Sequence, residues 1–439
     1  MNNFVSIIFV LAVLGALLLL GQLFRKHVRA YPELARKLVH LIMGASALSF
    51  PWLFDNIYPV VLLCLLVQCI LLVLKSGKSA ARDLLFGVSR LSCGELLFPL
   101  AVALIFYLSQ GQPLFYIVPV AVLAFADSAA ALIGERGTNR YRTRLGHKTI
   151  EGSVAFFVTA SFVIAFVLAI FAPLSACSIC LIALLLAALA TIVEGFSSAG
   201  FDNLLVPVAL FFTLKQTINL DWQALLVQLG WLALLMVTVL LLRRITDLSG
   251  NANLIIMAYG YLAVSHGGIT YLLMPALMLL GYRLLLPQSV KCQRLSAGHC
   301  ENAVLSMSFV GLVCLLWPQV AHSPSLLFVY TLAFVTQGAI TASAELSMGG
   351  NAGATMWQIF FNSLKSWSLL FLPYLVLNQT SVWLSVTSLL YVFILTLLFV
   401  LVTGKNQKRD RPGRWFKQSA VATFGAMSFF FTGIKQCKA

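Results

Sequence analysis

The sequence predicts an all-α fold, a polytopic transmembrane helical bundle of about 14 to 16 spans. Three observations predict it. The 439 residues are 60% hydrophobic and only 10% charged, with a mean hydropathy of +0.95. Apolar runs of about 20 residues, the length a helix needs to cross the hydrocarbon core, recur along the chain. Cationic connections (Arg25 to Lys37, Lys75 to Arg90, Glu135 to Lys148, Arg243-Arg244, Arg283 to Arg294, Lys405 to Lys417) alternate with connections that carry few cations (Asp55-Asn56, Ser109 to Pro113, Pro173 to Ala176, Pro318 to Pro324). That alternation follows the positive-inside pattern and places the cationic side in the cytoplasm.

The same composition excludes other classes. No hydrophilic stretch is long enough for a separate soluble domain. The net charge of +15 sits in short connections between spans, with no basic and aromatic module outside them, so nucleic acid is not the expected partner. Anionic lipid and a phosphorylated substrate suit it better. The nine cysteines form no disulfide framework; Cys177-Ser-Ile-Cys180 has redox or zinc spacing but no second pair and no nearby histidines.

Taken along the chain, Phe4 to Phe24 is read as an uncleaved first span with its N-terminus outside, because Arg25, Lys26 and Arg29 follow rather than precede it. Arg36-Lys-Leu-Val-His40 opens the second span. Arg36, His40 and Gly44 recur at a spacing of four and share a helix face, which could present a cation and an imidazole to phosphate. Gly77-Lys78-Ser79 imitates the end of a phosphate loop, but Leu72 stands where that motif needs glycine.

The most informative stretch runs from Phe125 to Ser153. Asp127 lies at membrane depth in an apolar helix, where a carboxylate is costly and needs a reason. It shares a face with Ala131 and Gly134. A compact polar loop, Gly146-His-Lys-Thr-Ile-Glu-Gly-Ser153, follows. It supplies what triphosphate binding requires: Lys148 as a point charge, Thr149 and Ser153 as hydroxyl donors, and Gly146 and Gly152 where backbone approaches closely. A magnesium–nucleotide site would explain Asp127, since magnesium takes hard oxygens and substrate phosphates. Glu151 either adds a metal position or favours a helix N-terminus. Glu194-Gly-Phe-Ser-Ser-Ala-Gly-Phe-Asp-Asn203 adds Glu194, Asp202 and an amide on the same side. Nine of the fourteen acidic residues precede residue 220, which makes the first half the better catalytic candidate.

The second half offers less. A boundary is expected near residues 213–222, giving domains 1–215 and 216–439. Ser265-His-Gly-Gly268 interrupts an apolar stretch too long for one span and predicts a turn. His266 and Glu345 are candidates by depth alone. The last apolar run, Ala420 to Phe431, is short for a span, and Lys435 to Lys438 would end outside if it crosses.

Together these elements resemble the membrane polyprenol kinases, phytol kinase and dolichol kinase, which are related to phosphatidate cytidylyltransferases. Arg36 to His40 is similar to their "RKLVH" element. Ser92-Cys-Gly-Glu-Leu-Leu-Phe98 is similar to the segment before their central span, and Asp127 to Gly134 to their "D-x-x-A-x-x-x-G" helix. His147-Lys-Thr-Ile-Glu-Gly-Ser153 matches "K-K-T-x-E-G-S" with His for the first Lys, and Glu194 with Gly200-Phe-Asp-Asn-Leu204 matches "E…G-x-D-N". The resemblance covers about residues 36 to 210 and implies phosphoryl transfer, typically from CTP, with ATP as the other donor, to a membrane isoprenoid alcohol. It implies roles for Asp127, Lys148, Glu151 and Asp202 in catalysis, for Asp127, Glu151 and Glu194 at Mg2+, and for Arg36, Lys37, His40, Gly134, His147, Thr149, Gly152, Ser153 and Asn203 around the nucleotide. Ala339-Ile-Thr-Ala-Ser-Ala-Glu-Leu-Ser347 resembles the "A-D-T-x-A-S-E-x-G" element of phytyl-phosphate kinases, with Ile340 in place of the acid and Ser347 in place of the glycine. His299-Cys-Glu-Asn302 and Gly349-Gly-Asn-Ala-Gly353 sit where that family has further polar elements. Competing readings are a cytidylyltransferase that forms a CDP-lipid and a non-enzymatic transporter.

Overall fold

The structure, a computed structural model, describes residues 3–23, 32–76, 93–143, 146–243, 248–285, 297–316, 324–349, 354–378, 382–403 and 412–433. Most of the cationic connections, Gly77-Lys78-Ser79, residues 350–353 and Lys435 to Lys438 lie outside them. Seventeen helices and one two-stranded hairpin make up the described chain. Eight of the helices are long and apolar enough to cross a membrane, and four more apolar segments are shorter. The chain is thus an all-α, multi-pass membrane protein.

It divides into two compact units, Met1–Gly230 and Trp231–Ala439. The first holds α1 (Asn3–Leu23), α2 (Pro32–Leu48), α3 (Phe50–Leu53), α4 (Ile57–Ser76), α5 (Gly94–Ser109), α6 (Pro113–Glu135), β1 (Arg140–Thr143), β2 (Gly146–Thr149), α7 (Ile150–Phe171), α8 (Ala176–Phe196) and α9 (Asp202–Thr217). The division falls within α10 (Trp222–Leu242). The second holds α11 (Gly250–Gly267), α12 (Ile269–Leu285), α13 (Ala297–Leu315), α14 (Pro324–Gly349), α15 (Met356–Leu377), α16 (Val382–Thr403) and α17 (Pro412–Gly433).

In the first unit α6 is the axle. It starts on Pro113, whose missing N–H costs nothing at a helix start, and packs against α7, α2 and α9. Lipid gives no hydrophobic drive between helices, so close backbone approach must supply the contact. A Cβ on Gly44 of α2 would fall 2.3 Å from the Cβ of Ala124 on α6. The α6–α7 crossing is as tight, since a Cβ on Gly152 would meet the Ala130 carbonyl at 2.9 Å. The predicted polar loop 146–153 is not a loop. Its first half is β2, paired antiparallel with β1 in the register Tyr141 to Lys148, and its second half opens α7. Thr149 caps that helix, its Oγ1 accepting from Gly152 N at 3.1 Å, with Glu151 in the first turn where a negative charge suits the dipole.

In the second unit α14 is enclosed on nearly every side, packed against α12, α13, α15, α16 and α17. Tyr259 and Tyr330 share a hydrogen bond of 2.9 Å in its core. The expected turn falls where the sequence places it: α11 ends on Gly267, Gly268 takes φ +78°, and α12 begins. The last helix is longer than the apolar run suggests, because it starts at Pro412 and takes in Arg414 and Lys417, read above as connection. Arg414 is buried and holds Glu345 at 2.5 Å. His266 is buried too, with Nδ1 3.0 Å from Ser265 Oγ.

Gly44→Ala should destabilise the protein by about 1–3 kcal/mol, because the added methyl drives α2 off α6. Thermal unfolding in detergent measures it. A variant as stable as the parent would mean that these helices do not meet at Gly44.

Candidate active site

Six elements bring their ends to one place: the start of α2, the end of α6, the hairpin, the start of α7, the end of α8 and the start of α9. They enclose a cavity of about 350 Å³. Its charged lining is balanced. Arg36, Lys37, Arg140 and Lys148 make four cations, and Asp127, Glu135, Glu194 and Asp202 make four carboxylates. Ala130, Ala131 and Gly134 give α6 a small-residue wall, and His147, Thr149, Gly152 and Ser153 close the hairpin side.

Two ion-pair groups organise these charges. Lys37 Nζ lies 2.5 Å from Asp127 Oδ2, both side chains buried, and His40 Nε2 lies 3.4 Å from the same oxygen. The His40 ring is held from two sides, by the Leu123 carbonyl at 3.2 Å and by the edge of Phe98 at a centroid distance of 4.9 Å. Across the cavity, Lys148 Nζ donates to Glu194 Oε1 at 2.5 Å and to the Glu194 carbonyl, and stands 3.9 Å from Asp202 Oδ2. Burial opposes the Lys148 charge, but the Glu194 and Asp202 carboxylates outweigh it and hold the ammonium above the ordinary lysine value. Lys148 is therefore fully charged at neutral pH. Glu194 Oε2 is buried with no hydrogen-bond partner among the described residues, so this carboxylate keeps an unused acceptor.

The remaining residues hold the frame. Thr149 Oγ1 donates to the Gly134 carbonyl at 3.3 Å, tying β2 to α6. Tyr141 of β1 and Ser153 of α7 share a hydrogen bond of 2.9 Å. Burial, then the Glu194 charge, raises the Tyr141 hydroxyl above the ordinary tyrosine value, which keeps it neutral. The α8–α9 link places Ala199 at φ 57° and Gly200 at φ 86°. Its Ala199 carbonyl accepts from Cys93 N at 2.8 Å.

Most of the residues singled out in the sequence converge: Arg36, Lys37, Asp127, Gly134, His147, Lys148, Thr149, Gly152, Ser153, Glu194 and Asp202 all line the cavity. Three stand behind it. His40 stands against Asp127 from outside the lining. Asn203 is buried and donates to the Gly94 carbonyl at 2.8 Å, pinning α9 to α5. Glu151 turns away from the cavity. Its Oε1 accepts from the backbone and side chain of both Thr138 and Asn139, at 2.9–3.2 Å, and so fixes the entrance to β1. Among the described residues no three His, Cys, Asp or Glu side chains gather as a ready metal cage, so Asp127, Glu151 and Glu194 are not drawn together as one ligand set. Sequence reading missed Arg140 and Glu135 as lining residues and Glu95 as the partner of Arg36, 3.6 Å away. The signal available for Arg140 was its place beside Tyr141 and Arg142, a basic run too short to mark a site.

Among known proteins, the chain is similar to phytol kinase from Synechocystis sp. The two are 29% identical over 198 residues, which is 44% of this chain and 84% of that protein. No protein-family model and no solved structure matches.

Replacing Glu151 separates framework from reaction. Glu151→Ala should speed amide hydrogen exchange at residues 138–139 about tenfold, the loss of one charge-assisted hydrogen bond. Glu151→Gln keeps an acceptor oxygen and should exchange nearly as the parent does. Loss of turnover in Glu151→Gln with unchanged exchange would return this carboxylate to the reaction.

Proposed function

We propose that the first unit transfers a phosphoryl group from a nucleoside triphosphate, CTP in preference to ATP, to the hydroxyl of an isoprenoid alcohol lying in the bilayer. One observation carries this reading: two lysine–carboxylate groups line one polar cavity, their carboxylates Asp127 and Glu194 carried by membrane-length helices. The similarity to a phytol kinase supports the substrate class, and the resemblance of residues 36 to 210 to polyprenol kinases favours CTP. The cationic connections favour a cytoplasmic cavity, where nucleotides are.

The balance of charge bears on the donor. With four cations against four carboxylates, the cavity offers no net positive charge to a bare triphosphate. A polyanion is accommodated when it brings its own cations, and the oxygen donors suit magnesium. Asp127, Glu194 and Asp202 are hard ligands in one lining, and Glu194 Oε2 is buried with its acceptor free. Magnesium commonly needs only one or two carboxylates beside substrate phosphates and water, so a closed cage is not required. Bound there, it would neutralise charge on the transferring group.

The chain's own residues do the rest. Lys148 and Arg140 meet the phosphates from the hairpin side, and Arg36 and Lys37 from the α2 side. Phosphate competes with Asp127 for Lys37, so nucleotide arrival frees the Asp127 carboxylate toward the alcohol. The alcohol oxygen then bonds to the terminal phosphorus as the bond to the leaving diphosphate breaks. Its proton passes to Asp127 or, through it, to His40. Positioning and charge neutralisation, rather than covalent catalysis, supply the rate.

The test uses purified protein in nanodiscs with magnesium, a panel of prenyl alcohols and labelled CTP or ATP. Prenyl phosphate and nucleoside diphosphate are expected as products. Asp127→Asn should lower kcat by about 10²-fold or more. Pyrophosphate release with a phosphorylated lipid, and no turnover of any alcohol, would replace this reading with CDP-lipid formation.

A further inference from the structure

The second unit holds a cavity of about 240 Å³ between α10, α11, α12, α13 and α14. Leu242, Ile256, Leu279, Met307 and Phe334, one from each helix, are typical of its lining, which is apolar and carries no charge. Its three hydroxyls are already engaged. Thr238 Oγ1 donates to the Leu234 carbonyl at 2.8 Å, Ser308 Oγ to the Val304 carbonyl at 2.9 Å, and Tyr259 shares its hydrogen bond with Tyr330. Water, which needs about two to four polar partners, finds no free donor in this lining. Apolar cavities of about 150 Å³ already stay dry and take up small hydrocarbons. Left empty, such a space forfeits the packing contacts that hold helices together in lipid. Thr238 is exposed and Leu280 is 69% exposed, so the cavity opens to the outside of the unit at α10 and α12. Helices α10 and α14 are of membrane length, and the medium at that opening is hydrocarbon.

One end of the cavity is polar. Asn253, Ile256 and Gly260 share a face of the unbroken helix α11, and Glu301, Val304 and Ser308 share a face of α13. Ile256, Gly260, Val304 and Ser308 line the cavity, so Asn253 and Glu301 each stand one turn beyond it. Ser249, the residue that caps α11 one turn before Asn253, donates to Glu301 Oε1 at 2.8 Å. That bond turns this face of α11 toward α13 and sets both polar residues at the same end. Asn253 is 5% exposed, and neither Oδ1 nor Nδ2 of its amide has a hydrogen-bond partner among the described residues. An amide buried in this way costs free energy until a donor and an acceptor reach it.

We infer that this cavity is a lipid site of the second unit, and that it holds the hydrocarbon chain of a neutral lipid alcohol whose hydroxyl binds Asn253. The chain fills the apolar lining. The hydroxyl both donates and accepts, which is what the Asn253 amide lacks. A phosphate head is the wrong complement, because the buried Glu301 carboxylate lies at the same end and Arg243, next to Leu242, is exposed. The opening at α10 and α12 admits the lipid laterally from the bilayer. No residue of the first unit takes part, so the inference stands apart from the kinase reading.

Photolabelling of the full chain in nanodiscs tests this without reference to turnover. The probe is a long-chain alcohol with a diazirine in its chain, and labelled peptides are identified by mass spectrometry. Label is expected on α11, α12 and α13, and excess unlabelled alcohol should remove it. A straight-chain fatty alcohol and a branched prenol serve as competitors; the stronger of the two identifies the source of the chain. Prenyl phosphate should compete less well than the prenol, and equal or stronger competition by the phosphate would overturn the inference. Ala276→Phe, which fills the cavity, should lower the labelling about tenfold or more. Asn253→Leu keeps the volume and removes the unpartnered amide, so it covers the case in which the bulky variant fails to fold. It should weaken competition by the alcohols about tenfold, the loss of the hydroxyl's hydrogen bonds. Unchanged competition in folded Asn253→Leu, or label spread over lipid-facing helices and insensitive to competitor, would overturn the inference.

Discussion

A carboxylate carried into an apolar helix bundle must be matched there by a cation, and this constraint organises the first unit. Asp127 sits on α6, the helix packed against the most neighbours, so its partner has to come from a neighbouring helix. Lys37 and His40 supply it from α2, and the tight passage at Gly44 and Ala124 is what lets α2 come near enough. Glu194 poses the same problem on α8, and the hairpin answers it by carrying Lys148 inward. Removing either lysine would leave a buried charge uncompensated, which costs far more than the pair itself gains. The two pairs thus hold the helix ends together and, on the proposed reading, are also the charges that a phosphate must rearrange.

The second unit meets the constraint with a different outcome. Glu345 and Arg414 are sealed from solvent and clamp α14 to α17. Depth alone made Glu345 a functional candidate in the sequence; its partner shows why depth is an incomplete guide. A buried ion pair fixes which helices neighbour one another as readily as it serves a reaction.

Much of this was legible in the chain. Apolar run length and the alternation of cationic connections give the helical membrane class, because a bilayer leaves few other solutions. Asp127 stood out because a carboxylate is expensive at membrane depth, Lys148 as a point charge in a short polar segment, and Glu194 and Asp202 as acids in a connection that topology does not need. What escaped was pairing. Nothing local tells that Glu151 turns toward Thr138 and Asn139 while its neighbour Gly152 faces the cavity. The hairpin was hidden as well, since four-residue strands of Arg, Tyr, Gly, His and Lys carry no alternation of apolar residues and are made by the register between them. The start of α17 was misplaced for a related reason: Arg414 reads as a connection charge until Glu345 is seen to neutralise it.

The hairpin also explains why this site needs side-chain charges. A soluble phosphate loop cradles its ligand with free backbone N–H groups at a helix N-terminus. Here β1 and β2 pair with one another, and at the start of α7 the Gly152 N–H is already taken by Thr149. On the proposed reading, anion recognition falls to the side chains of Lys37, Arg36, Arg140 and Lys148, which share the lining with four carboxylates. On the proposed reading the cavity binds by exchange: phosphate displaces a carboxylate from its lysine, and the carboxylate so freed is left facing the reacting groups. A site built from backbone amides gains no such released carboxylate, and on the proposed reading the released carboxylate is Asp127, backed by His40 and, behind that ring, Phe98.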